Sequence, residues 1–253
     1  MAVELYNQGG HIIVSFSDLV EGDEGVQSNQ FLVVIDNHAA IIDPGGDLTY
    51  TRLHMALSKY INVKDLDYIF ASHQDPDIVA SINRWLTGTN CKLVCPEVWS
   101  RFIPHFSRVG KTTSRIISIP DRGMDVPLGR HHLKAIPAHF LHSEGNFQFY
   151  DPISKILFSG DMGANLGPGD YDKPVKSLDE IMPYMEGFHK RYMNGNKVCR
   201  YWVKMVRTLD VQWIVPQHGR SFIGKKIVAE FLNWVEQLEC GVDLMTQDDY
   251  RVS

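Results

Sequence analysis

One ten-residue stretch constrains this chain more than any other: Ile69-Phe70-Ala71-Ser72-His73-Gln74-Asp75-Pro76-Asp77-Ile78. An apolar run of strand type, residues 68–71, leads into His73, Asp75 and Asp77 at i, i+2 and i+4, and a helical pattern of Ile78, Ile82, Trp85 and Leu86 follows. Alternate side chains of an extended segment point to one side, so one imidazole and two carboxylates converge at a strand end, a ligand set for a hard or borderline metal. The same residues also make a helix start, with Asp75 as N-cap, Pro76 at the first helical position and Asp77 in the first turn. Capping leaves His73 without a role, so partners elsewhere in the chain decide between the two readings.

The flanking pattern sets the fold class. Residues 11–16 and 29–42 are β-branched apolar runs separated by the turn segment 21–25, which reads as an antiparallel meander. The second run ends in Asp43-Pro44-Gly45-Gly46 before a helical stretch at 51–60, and Asp43 reads as a turn residue or as support behind the ligands. Residues 68–71, a helix ending near Gly88, a strand at 92–95 and a helix at 97–106 give β-α-β-α order. Short strands follow at 115–119, 126–128, 132–137, 146–151 and 156–159, then a Gly-, Asp- and Pro-rich segment at 160–174 that reads as a site loop. Two helical patterns in 178–209, a strand at 213–216 and an amphipathic helix at 227–238 complete the chain. The expectation is an α/β chain with two sheets flanked by helices, in one domain over residues 1–253.

Composition removes other classes. The 253 residues are 44% hydrophobic, enough for a substantial core. A net charge of -5 without a long basic block argues against nucleic acid, and the basic residues between 191 and 207 are broken by apolar ones, as on a solvated helix face. No apolar run reaches the roughly eighteen residues of a membrane span, and no leader pattern opens the chain, so a soluble cytoplasmic protein is expected. Cys91, Cys95, Cys199 and Cys240 are too few for a disulfide framework and include no C-x-x-C, hence read as buried free thiols.

Three further strand ends carry ligand types. His142 follows the run 136–141, Asp161 follows 156–160, and His218 follows 213–217, each before a Gly or polar turn. Together with the opening motif these four positions, in this order, point to a metal site. Asp43-Pro44-Gly45-Gly46, Ser72-His73-x-Asp75-x-Asp77, His142, Ser159-Gly160-Asp161 and Pro216-Gln217-His218-Gly219 resemble the metallo-β-lactamase superfamily. Within it the chain is similar to the diiron domain of flavodiiron proteins and to their standalone relatives, the oxygen-binding diiron proteins, over nearly its whole length.

The resemblance implies an αββα four-layer sandwich and two iron ions (Fe2+/Fe3+), with zinc or manganese as alternatives. It implies that His73, Asp75 and His142 hold one iron, that Asp77 and His218 hold the other, and that Asp161 bridges. Asp75 is one methylene shorter than the Glu usual in flavodiiron proteins, and Ile78 stands where the superfamily often has a ligating His. The second iron then has an open position, or takes His139 or water, and Asp77 and His139 become the candidates for a catalytic part. Three imidazoles with three carboxylates suit iron or manganese better than zinc.

The function implied is binding, and by extension reduction, of dioxygen or nitric oxide. The alternative is a dinuclear hydrolase acting on an ester, thioester, lactam or phosphodiester. Flavodiiron proteins carry a flavodoxin domain after the diiron domain, and no glycine-rich flavin segment precedes Ser253, so a separate electron donor or a signalling partner is expected. A homodimer is expected by resemblance. Phe140, Phe147, Tyr150 and Tyr171 are candidates to shield the site, whereas Tyr192 and Met193 read as core and Trp85, Trp202 and Trp234 as core or dimer contacts. His11, His38, His54, His105, His131, His132 and His189 read as surface or structural histidines.

Overall fold

Strand β3 (Gln30–Ile35) shows how the layers arise, because all six of its residues are buried. Phe31, Val33 and Ile35 enter one apolar cluster, while Leu32 and Val34 enter another. A strand buried on both faces lies inside a sheet that is itself covered on both sides. The structure, a computed structural model, describes residues 1–22, 24–105, 107, 112–167 and 169–252.

The first sheet has seven strands in sequential order. β1 (Ala2–Gln8), β2 (His11–Phe16), β3 and β4 (His38–Ile42) form an antiparallel meander. Helix α1 (Asp47–Leu57) leads to β5 (Tyr68–Phe70), and α2 (Pro76–Val79) and α3 (Ile82–Gly88) lead to β6 (Lys92–Pro96). After α4 (Glu97–Ser100) comes β7 (Ile116–Ile119), and β4, β5, β6 and β7 pair in parallel. The second sheet holds β8 (Met124–Leu128), β9 (His131–Pro137), β10 (Phe147–Asp151), β11 (Ile156–Phe158), β12 (Trp213–Val215) and β13 (Phe222–Ile223), in the order β13-β12-β11-β10-β9-β8. Helices α5 (Leu178–Tyr192), α6 (Asn196–Val206) and α7 (Lys225–Gln237) complete it.

Three apolar clusters define four layers. Phe31, Ile42, Phe70 and Val94 of the first sheet meet Phe147, Phe149, Phe158 and Val215 of the second in the centre. Outside the first sheet, Leu32, Ile41 and Leu93 pack with Leu53, Leu57 and Trp85 of the helices. Outside the second, Leu157 and Ile214 pack with Met185, Trp202, Val203 and Phe231. Each fully buried side chain of this size is worth about 1.5–3 kcal/mol. The fold is the αββα sandwich of the metallo-β-lactamase type.

Several boundaries differ from the sequence reading, each for a local reason. The run 29–42 is two strands, because Asp36 takes a left-handed φ of 58° and turns the chain into a hairpin. The helix ending at Gly88 is two helices: the Ser81 N–H donates to the Gly45 carbonyl, and its hydroxyl bonds the Gly45 and Pro44 carbonyls. The helix expected at 97–106 stops at Ser100, and a 3-10 turn over Ile103–His105 follows around Pro104, which lacks an N–H. Phe106 lies outside the described residues, as does Pro168 in the loop expected at 160–174. The edge strands β1 and β13 were not anticipated.

Candidate metal centre

The six candidates all follow the C-terminal ends of strands: β5 for His73, Asp75 and, in the first turn of α2, Asp77, β9 for His142, β11 for Asp161 and β12 for His218. β11 and β12 run parallel, and β9 is antiparallel to β10, which is antiparallel to β11, so the three second-sheet loops emerge at one edge.

His73, Asp75, His142 and Asp161 bring one ligand atom each within 4.8 Å of one another. Asp161 Oδ2 lies 2.8 Å from His142 Nε2 and 3.6 Å from His73 Nε2. Asp75 Oδ2 lies 3.4 Å from His142 Nε2 and 3.7 Å from His73 Nε2. The other oxygen of Asp161, Oδ1, lies 3.5 Å from His218 Nε2, which in turn is 3.3 Å from Asp77 Oδ2. Asp161 therefore faces two groups of donors, one with each oxygen.

Asp75 does occupy the N-cap position of α2, with Pro76 following, yet its side chain makes no cap hydrogen bond. The carboxylate turns toward the imidazoles instead. Ile78 points away, fully buried in the outer core of the first sheet.

The histidines are aimed by their other nitrogens, as ligating imidazoles generally are. His218 Nδ1 donates to the Gln27 carbonyl at 2.7 Å, which leaves Nε2 with its lone pair toward the acids. His73 Nδ1 sits 2.9 Å from Ser72 Oγ, and the Ser72 N–H donates to buried Asp43 Oδ1 at 2.9 Å. Asp43, pushed up to about 6 by burial, is thus the support beneath the His73 turn. Gln74 accepts from Ser143 Oγ at 2.5 Å, tying the first ligand loop to that of His142, and Asn146 donates to the Leu141 carbonyl within the latter.

Electrostatics and the donor inventory fit a cation. His73 Nε2 and Asp161 Oδ1 are buried without a hydrogen-bond partner, which polar atoms in a core rarely are. Burial opposes charge on the imidazoles, but the Asp161 and Asp75 carboxylates outweigh it and push His73 up to about 10 and His142 up to about 9. His218 is likewise raised to about 9 against burial, by Asp77 and Asp161. Burial would raise the Asp161 carboxyl, yet the three imidazoles hold it well below its ordinary value. Such a field is what a divalent ion responds to, displacing the protons as it binds.

His139 is not brought to this cluster. Its Nε2 lies 2.7 Å from the Asp121 carbonyl, its ring stands edge-on to Phe147, and it lines a separate cavity with Tyr201 and Trp202. The aromatic shield also differs from expectation. Phe147 and Tyr150 are buried in the cores, and Phe140 lines the His139 cavity. Phe188 and Tyr192 of α5 stand beside the centre, with ring centroids 6.2 and 5.6 Å from that of His142, and are stacked on each other. They flank a cavity of about 840 Å³ that reaches Asp75, Asp77, His142, Asp161 and His218. Tyr192, read as core, is 55% exposed. Its i, i+4 relation to Phe188 was visible, but which face of α5 met the site was not.

Gln217 and Asn165 also escaped the sequence reading. Gln217 Nε2 donates to Asp77 Oδ2, and buried Asn165 joins the Asp161 and His218 loops through bonds to Gly163 O, Arg220 O and Arg220 N. An amide beside a ligand type, as in Gln217-His218, is a local signal for Gln217, and Asn165, between Ala164 and Leu166, has none.

This geometry has counterparts. The sequence profile described as ODP family beta lactamase matches residues 26–219, which contain all six candidates. The chain belongs to the ODP family. A solved structure titled as the peroxy diiron species of the chemotaxis sensor ODP shares 38% identity, with 99% of each chain covered and a TM-score of 0.87. The apo state of the chemotaxis sensor ODP from T. denticola shares 37%, again with 99% of each chain covered, at 0.84. A putative diflavin flavoprotein of Synechocystis sp. is 28% identical over 84% of this chain but only 36% of its own length. The chain spans about half or less of the curated relatives it matches. Both ODP structures therefore share the sandwich and the full extent of this ODP family chain.

Proposed function

We propose that this chain binds dioxygen at a pair of iron ions and serves as an oxygen sensor. The observation that carries the reading is the Asp161 carboxylate, buried and offering one oxygen to His73 and His142, which Asp75 also faces, and the other to His218, beside Asp77. In this reading His73, Asp75 and His142 hold one iron, Asp77 and His218 hold the second, and Asp161 bridges. The likeness to a chemotaxis sensor at 38% identity over 99% of both chains supports the sensing role. Two ferrous ions supply the electrons and coordination positions that dioxygen needs.

The chain's own residues set the conditions. Ser72 and the Gln27 carbonyl fix the His73 and His218 rings, so their Nε2 atoms meet the carboxylates without rearrangement. Gln217 holds Asp77 from the protein side. Phe188 and Tyr192 set their rings edge-on to that of His142 and place apolar surface beside the charged donors. Buried Ile78 supplies no nitrogen where a hydrolase often has one, which favours oxygen chemistry over hydrolysis. Nitric oxide as a second diatomic ligand and a separate electron donor or signalling partner belong to the same proposal.

Assembly as a homodimer and a cytoplasmic setting complete it. Exposed Leu48, Leu166 and Tyr192 rim the cavity and favour a partner surface, and four buried free cysteines suit a reducing compartment. No helix among the described residues is long and apolar enough to cross a membrane. Anaerobic reconstitution tests the reading: two irons per chain and an absorption band that appears only with dioxygen are expected. Two zinc ions and no such band defeat it.

A further inference from the structure

The four cysteines were read alike, but the fold separates them. Cys91 and Cys95 are buried in the outer core of the first sheet. Cys199 on α6 and Cys240 in the turn after α7, 41 residues apart, bring their sulfurs to 3.8 Å. We propose that Cys199 and Cys240 are a redox pair that closes to a disulfide on meeting hydrogen peroxide, and that closure shifts the loop carrying His142.

The chemistry balances without the metal centre. The Cys240 sulfur attacks the peroxide O–O bond, giving a sulfenic acid and one water. The Cys199 sulfur then attacks the Cys240 sulfur and expels a second water. Two thiols and one peroxide become one disulfide and two waters. Either sulfur can donate to the other at this distance, so the pair is set by geometry, and the same two thiols and one peroxide are consumed whichever sulfur attacks first. The sulfurs must close from 3.8 Å to a covalent length of about 2.05 Å. Both cysteines are fully buried, so peroxide reaches them only as the turn opens, and Cys240 is the one to move: it lies in that turn between exposed Glu239 and half-buried Gly241, whereas Cys199 is held within α6.

A short path leads from Cys240 to the site. Gly241, with φ of 51°, packs so closely that a Cβ there would lie 2.2 Å from the carbonyl oxygens of both Met193 and Asn194. Val242 N donates to Asn194 O at 2.8 Å, and Asn194 N donates to Phe140 O at 3.1 Å, two residues before His142. The same turn carries Tyr192, whose ring meets that of His142. Displacing Cys240 therefore pulls on the backbone that seats His142. This second half rests on the reading of His142 as an iron ligand, and the disulfide itself does not.

The experiment uses the full chain with its metals bound and a chelator-stripped sample, each treated with stoichiometric hydrogen peroxide, thiol-blocked and digested. A mass lower by two hydrogens, linked peptides containing Cys199 and Cys240, free Cys91 and Cys95, and reversal by dithiothreitol are expected in both samples. Unlinked Cys199 and Cys240, whether reduced or overoxidised, overturn the pair. Competition with a ferrous chelator then compares oxidised and re-reduced protein, which needs no variant, and Cys240→Ala serves as a form that cannot close. Iron affinity should differ about two- to thirty-fold between the two states, the range of long-range couplings. Equal affinities overturn the link to His142 while the mapped disulfide stands, and failure to hold iron in either state points to the diiron reading instead.

Discussion

Gln217 reaches across 140 residues of sequence to donate its Nε2 to Asp77 Oδ2 at 3.1 Å. Its backbone is pinned on both sides, by a bond to Gly160 O at 2.8 Å and by one from Asn29 N at 2.5 Å. Gln217 is fully buried, so its amide can do little but orient Asp77. Gln217→Leu should weaken uptake of the second metal by about ten- to a hundred-fold, as loss of a bond behind a ligand generally does, with the first metal retained. Stepwise cobalt titration followed by visible absorption checks this, and equal loss at both steps counts against it.

Asp161 and Asp77 should differ in what their removal costs. Asp161 faces both donor groups, while Asp77 faces only His218 among the histidines. Asp161→Asn is expected to abolish binding of both metals, and Asp77→Asn to leave one. Metal content after gel filtration in an iron-containing buffer separates the two outcomes.

His189 predicts an acid sensitivity outside the ligand set. It is fully buried, donates from Nδ1 to Met185 O at 2.8 Å and accepts at Nε2 from Gly163 N at 2.9 Å, an arrangement only the neutral ring can make. Burial pushes it down to about 4. Because the folded value lies below the unfolded one of about 6.5, the unfolded chain takes the proton first. The contribution is complete above pH 6.5 and is lost as pH falls toward 4, amounting to about 3 kcal/mol at about 1.4 kcal/mol for each pH unit. In urea unfolding of metal-stripped protein, the raised site histidines titrate alike in parent and variant, so His189→Gln should lose about this much less stability than the parent between pH 7 and pH 4.

Gly219 follows His218 with φ of 83°, and a Cβ there would lie 1.8 Å from the Asn165 carbonyl oxygen. Gly219→Ala cannot be accommodated without moving Asn165, which also accepts from Arg220 and holds the Asp161 loop. The left-handed conformation alone costs a non-glycine residue about 1–3 kcal/mol. Thermal unfolding should register that loss together with weaker metal retention, whereas an unchanged midpoint would show that the loop has room.

The opening motif, read with three later strand ends, was enough to name the superfamily and the layers and to pick out six candidate donors, because ligand type at a strand end is a local property of the chain. His73 and Asp75 needed only an extended segment to share a side, and β3 needed only its unbroken apolar run to lie inside a sheet. Distances between residues far apart in sequence were a different matter. That Asp161 divides its oxygens between two groups, that His139 turns to Asp121 instead, that Tyr192 rather than Phe147 faces the site, and that Cys199 meets Cys240 all follow from how helices and loops from separate parts of the chain pack together. Periodicity tells which face of a helix is apolar, and only the packed core decides what that face meets.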